Sequence, residues 1–422
     1  MDIKESKILK EKLYEKDYPC GLRAYVMPKP GYDKKFAMFG THFGSINNDF
    51  IHPETKERIK VPDGVAHFLE HKVFAQKDGS AMDMFAEMGS SSNAYTTFTH
   101  TAYLFSCTEG FTDSFRLLLK FVQNPYITDE SVANEKGIIG QEIRMYEDDA
   151  DWQLYFNFLN CMYNDNTVKI DTAGTVETIA PIDRTLLYNC FNTFYDPSNM
   201  VVFVVGDVNP DDVFKVVEES VDVNKAPLEI KQFFKDEAPE VNHSRKEVAF
   251  EVALPMFMYG FKAEPKYEDI IKEEIAVNIA FEMLCGKSSR LYQELYENGL
   301  ITSPIGMDIT FEREYAFIGL VGESEKPDEA IAKIKEEINK MKHSEINAEE
   351  FERIRKRLTG DYIRQFNSVD KIAHIFMANI MRNVNMLDYA EEYNNVTKED
   401  VKKALDKYFN MKYEATSIVK PL

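Results

Sequence analysis

The sequence predicts an α+β protein made of two copies of one unit, each an antiparallel sheet flanked by helices. Three observations point there. Strand-like and helix-like stretches alternate along the chain instead of separating into all-α or all-β blocks. The order of these stretches in the first part recurs after residue 240. A chain of 422 residues is also too long for one ordinary core, so two to four domains are expected.

Taken in order, residues 22–27 and 36–46 alternate like strands and flank a Pro/Gly turn at 28–31. An apolar run free of Gly and Pro follows Gly64 and reads as a helix reaching residue 78. A second short helix at 80–89 is broken by Gly89. Residues 90–107 are rich in β-formers and read as a hairpin turning near Thr99. An amphipathic helix at 111–124 stops before Pro125, and a long helix capped by Thr128 or Asp129 runs to Tyr146. Helices at 151–163 and 183–195, a strand at 200–208 and a Pro-initiated helix at 210–220 complete the first copy.

Residues 223–240 carry Pro227 and Pro239 with little periodicity, which divides the chain into 1–225, a linker at 226–240, and 241–422. Beyond the linker, 248–262 matches the early strands and the helix 267–285 takes the place of the first helix. Residues 314–323 echo 101–110, and helices 327–342 and 347–366 echo 111–124 and 128–146. Residues 396–419 echo 182–205.

A net charge of −21 argues against nucleic acid or an anionic membrane as partner and would favour basic peptides. The five cysteines are scattered, with no closely spaced pair, so a reducing, cytoplasmic setting is expected. The charged N-terminal stretch lacks the apolar core of a signal peptide, and the apolar runs are strand-sized, too short for a membrane span.

The chemistry concentrates in His67-Phe68-Leu69-Glu70-His71. On a helix, residues three and four apart share a face, so His67 and His71 point the same way and can bind one metal ion, with Glu70 on that side. Two imidazoles plus a carboxylate leave an open position for water, and the remaining Glu can take a proton from it. Only the first copy carries this set, so 1–225 is the catalytic half and 241–422 a non-catalytic repeat. Glu135 and Glu142 lie seven apart on one helix face. By spacing alone either can be the third ligand, with the other holding a water or a ligand histidine. Gly137 and Gly140 between them suggest close helix packing.

His67-Phe68-Leu69-Glu70-His71, followed by the stretch from Glu135 to Glu142, resembles the pitrilysin/insulinase (inverzincin) family of zinc metallopeptidases. Within that family the chain is most similar to the active subunits of the mitochondrial processing peptidase-like bacterial branch. The resemblance covers essentially the whole chain and implies two homologous ferredoxin-like α/β-roll halves. It implies one zinc ion held by His67, His71 and Glu142, with Glu70 as the catalytic base and Glu135 as an acidic catalytic supporter. The implied activity is endopeptidase cleavage of peptides or unfolded segments inside a chamber. Asn93, Ala94, Tyr95 and Thr96 match a substrate-binding edge strand, where a peptide gains main-chain hydrogen bonds.

One departure stands out. Active relatives carry an Arg and a later Tyr in the second half, whereas Tyr296 and Thr302 occupy those positions here. The resemblance therefore implies a homo- or heterodimer, with a non-catalytic subunit able to supply the Arg/Tyr pair. The competing readings are a structural subunit of a peptidase-like heteromer and a metal-binding protein without peptidase activity.

Overall fold

Strand Met200–Gly206 carries no charged residue and is buried along its whole length, so it belongs inside a sheet covered on both faces. The structure, a computed structural model, describes residues 1–77 and 79–422 and places this strand within a seven-stranded sheet. Strand order is Asp2–Ser6, Glu11–Asp17, Arg23–Pro28, Met200–Gly206, Lys35–Thr41, Thr101–Cys107 and Ser91–Thr96. Met200–Gly206 runs parallel to Arg23–Pro28, and every other pairing is antiparallel.

A second sheet has the order Arg245–Phe250, Glu414–Pro421, Met256–Lys262, Ala316–Glu323 and Gly306–Phe311. In this sheet the first pair is parallel and the rest antiparallel. The five strands from Arg23–Pro28 to Ser91–Thr96 follow the same order and the same directions. The duplication read from the sequence is thus a repeat of topology, and the α+β class holds with one parallel pair in each sheet. The hairpin Asp2–Ser6/Glu11–Asp17 extends only the first sheet. Its outermost strand is mostly exposed and charged, so it lacks the apolar alternation that marks a strand in sequence.

The first helix stops at Val73, short of the expected residue 78. The chain turns there into a two-residue-per-strand hairpin, Ala75–Gln76 with Gly79–Ser80, and Phe74 O accepts the N–H of Ala81. The next helix, Ala81–Glu87, is capped by the Ser80 side chain.

Two compact units emerge, and the chain crosses between them more than once. One comprises Met1–Arg144, Asp171–Phe234 and Gln365–Leu387; the other comprises Met145–Ile170, Lys235–Arg364 and Asp388–Leu422. Within the first, helix Val369–Met381 covers strands Met200–Gly206 and Lys35–Thr41, with Phe376 stacked on Phe203 at 3.9 Å between ring centroids. Within the second, helix Ala150–Met162 covers Glu414–Pro421 and Met256–Lys262, and Phe158 meets Phe317 edge to face. Each sheet therefore takes a covering helix from beyond the 226–240 stretch. Helical periodicity marks both helices in sequence, but it does not say which sheet they cover.

The 226–240 stretch is itself tied down. Phe233 donates its N–H to Asp49 O, and Lys231 O accepts from Ile51, both at 2.9 Å. In the second unit, Glu237 accepts the backbone N–H groups of Asn164, Asp165 and Asn166, each at 2.8 Å, and pairs with Lys262 at 2.6 Å. Burial alone would raise its pKa, but Lys262 and the three amides outweigh burial and bring it down to about 2. Its contribution to stability is therefore present above the ordinary Glu pKa and lost as pH falls towards about 2. Glu237→Gln is expected to destabilise the protein at neutral pH by about 2 kcal/mol. Urea denaturation measures this, and the gap from wild type should narrow as the pH is lowered below 4.5.

Among the described residues, no helix is long and apolar enough to cross a membrane. All five cysteines are buried and unpaired.

Candidate metal centre

Helix Val65–Val73 is buried on nearly every side, so its polar residues are fixed by what packs around them. Its entry is set by Gly64, with φ of +91°. A Cβ at that position would lie 2.4 Å from Ala173 O, so the left-handed turn and the close approach both demand glycine. Phe68 and Leu69 anchor the helix in the core, while His67 and Glu70 remain under a tenth exposed. The facing helix, Asp129–Glu147, is started by Thr128, whose Oγ1 accepts the Ser131 N–H while Ser131 Oγ accepts that of Thr128.

The two helices bring His67, His71 and Glu142 together, with one donor atom from each lying within 4.8 Å of the others. The Nε2 atoms of both histidines lie 3.6 Å from Glu142 oxygens, too long for hydrogen bonds. Ligand atoms about 2.0–2.1 Å from a shared tetrahedral ion lie about 3.4 Å apart, so the spacing suits zinc.

The second nitrogens support the same fit. His71 Nδ1 meets Glu135 Oε1 at 3.0 Å, which places the proton there and leaves Nε2 as the free lone pair. Glu135's other oxygen accepts from Lys72 Nζ at 3.0 Å. His67 Nδ1 is buried without a partner, and burial, reinforced by His71, pulls this imidazole's pKa down to about 3. It is thus neutral, the state a ligand requires. Burial alone would lower the pKa of His71, but the hydrogen bond to Glu135 and the charges of Glu70, Glu135 and Glu142 raise it overall. Glu135 is pulled the other way: burial opposes its ionisation, yet His71 and Lys72 hold its pKa below the usual range.

Glu70 lies beside the trio. Burial raises its pKa, against which the Thr96 hydroxyl, donating to Oε2 at 2.7 Å, favours the carboxylate. Thr96 ends strand Ser91–Thr96, the outermost strand of the first sheet. Asn93 Oδ1 accepts the Ala94 N–H at 2.9 Å. Ala94 packs on the core, and Tyr95, on the face opposite Thr96, stacks on His374. The four edge-strand residues therefore divide: Thr96 reaches Glu70, whereas Tyr95 points away from it.

Sequence reasoning missed Lys72. Lys72 is buried in a helix whose neighbours are apolar, and a lysine in such a run was the available signal for its carboxylate partner. Close packing does not account for Gly137 and Gly140: apart from the helix's own backbone, no atom lies within 4 Å of where a Cβ would be, and nothing in the structure explains them.

The family model for the Insulinase (Peptidase family M16) matches residues 59–176, and that for the Peptidase M16 inactive domain matches residues 181–358. The chain is 40% identical over 407 residues to the uncharacterized zinc protease YmfH of Bacillus subtilis, spanning 94% of each. The chain belongs to the insulinase (M16) peptidase family. A second relative, zinc protease PqqE of Helicobacter pylori, is 25% identical over 378 residues, covering 85% of this chain and 83% of that protein. The crystal structure of an M16-like peptidase from Alicyclobacillus acidocaldarius superposes with a TM-score of 0.92 at 31% identity, covering 98% and 99% of the two chains.

The second sheet differs from the first beside its edge strand. Thr96 and Thr101 form the last pair of the edge ladder in the first sheet, and the last pair of the edge ladder in the second is Phe311 with Ala316. Phe311 is buried and has no hydroxyl to offer a carboxylate. Among the described residues, His67, His71 and Glu142 are the one trio able to hold an ion. Tyr296 is largely exposed on helix Arg290–Glu297, and Thr302 is exposed just beyond it.

Proposed function

We propose that this M16 chain is a zinc-dependent endopeptidase acting on peptides or unfolded protein segments. The observation that carries the reading is the convergence of His67, His71 and Glu142 beside a buried carboxylate, Glu70. The naming of relatives such as YmfH as zinc proteases supports the same choice of metal.

His67 and His71 would hold one zinc ion through Nε2 and Glu142 through its carboxylate. When bound, zinc supplies a Lewis acid that polarises a peptide carbonyl and acidifies water. Glu70 takes the proton of the attacking water and returns it to the leaving amine. Glu135 acts from behind, fixing the His71 ring and its tautomer while Lys72 balances its charge. Strand Ser91–Thr96 offers a free edge to which an extended peptide can add, its carbonyl competing with Asn93 for the Ala94 amide.

Tyr296 and Thr302 favour a further element, a partner subunit that contributes an Arg/Tyr pair near the scissile carbonyl. The test is cleavage of a quenched fluorescent basic peptide by zinc-loaded protein, purified with any subunit that remains bound. Cleavage should vanish on treatment with a chelator and return with added zinc. Cleavage indifferent to the chelator refutes the zinc assignment, and robust cleavage by the chain alone refutes the need for a partner.

A further inference from the structure

We infer that Thr96 is a positioning residue for Glu70, so that the strand offered to the peptide also aims the base. The inference rests on the zinc-peptidase reading and adds to it a role for the Thr96 hydroxyl.

The geometry is specific. Thr96 Oγ1 donates to Glu70 Oε2 at 2.7 Å. Thr101 sits directly across the ladder from Thr96, and the two hydroxyl oxygens are 3.2 Å apart. Thr101 is fully buried, and its own proton goes to Phe43 O at 2.7 Å. Each hydroxyl carries one proton, so with Thr101's given to Phe43 O and Thr96's to Glu70 the two oxygens lie side by side with no proton between them.

A carboxylate on a helix has two free side-chain torsions before its terminal one, and packing alone seldom fixes a polar end group. Thr96 is β-branched, so its χ1 is stiff, and its backbone is held by the ladder. The hydrogen bond therefore transmits the position of the edge strand to Glu70. A peptide that adds to this strand rigidifies the same residue that orients the base. The second sheet shows the contrast: the last pair of its edge ladder, Phe311 with Ala316, carries no hydroxyl, and among the described residues no metal trio lies in that half.

The test compares zinc-loaded full-length wild type, Thr96→Val and Thr96→Ser, again with any subunit that remains bound. Valine keeps the branched shape and removes the hydroxyl; serine restores it. For a quenched fluorescent peptide, T96V should lower kcat by about ten- to a hundredfold with KM within about twofold, and T96S should recover most of the rate. Zinc content should stay at the wild-type value in both variants. Crystal structures of the zinc-loaded proteins give the second readout: in T96V the Glu70 carboxylate should leave its wild-type position, and in T96S it should keep it. An unmoved Glu70 in T96V, a wild-type kcat in T96V, or a change in KM alone overturns the inference. If wild type binds zinc but cleaves nothing, the peptidase reading fails, and the Glu70 position in T96V still decides whether Thr96 aims it.

Discussion

Glu70→Gln is expected to keep its zinc and lose at least about a thousandfold in kcat, the range reached when a general base is removed. The substitution is nearly isosteric, and the amide oxygen can still accept from Thr96 at the place Oε2 occupies, so the local packing survives. What disappears is the ability to take a proton from water and deliver it to the amine. Glu70 is under a tenth exposed and does not belong to the His67/His71/Glu142 trio, so metal content should match wild type by elemental analysis. A variant that still cleaves at a rate near wild type would remove Glu70 from the mechanism and leave this helix without a base.

His71→Ala should have the second large effect, and through a different route. The imidazole contributes Nε2 to the trio and Nδ1 to Glu135. Its loss leaves only His67 and Glu142 to hold an ion, while Lys72 still pairs with Glu135. Zinc affinity is expected to fall by more than about a hundredfold, beyond what the loss of an outer partner alone costs. Activity should fall with it and return only partly at high zinc. Competition with a chromophoric chelator measures the affinity directly. Because the ring is one-quarter exposed, the fold should persist, which circular dichroism can verify. An unchanged zinc affinity would mean that the ion, if there is one, sits elsewhere.

Much of the site was legible because one short helix carries it. The spacing of His67, Glu70 and His71 puts all three on one side of a helix, and the structure keeps them there. The choice between Glu135 and Glu142 was not legible from spacing, since seven residues bring both to the same face. Resemblance favoured Glu142, and the geometry gives a physical reason: Glu135 already has both oxygens engaged, by His71 Nδ1 and Lys72. The bond from Thr96 to Glu70 spans 26 residues and depends on how a strand docks against a helix, which periodicity does not encode. The fold follows the same division. Strands such as Met200–Gly206 announce themselves by unbroken apolar runs, whereas Asp2–Ser6 is mostly exposed and charged and carries no such signal. The helices Ala150–Met162 and Val369–Met381 pack in units that their sequence position does not disclose.

The most direct measurement is anomalous diffraction above and below the zinc absorption edge, on crystals of protein purified in the presence of zinc. A single peak is expected at bonding distance, about 2.0–2.2 Å, from Nε2 of His67, Nε2 of His71 and an oxygen of Glu142. No peak at that trio, or a zinc peak held by other residues, would contradict it.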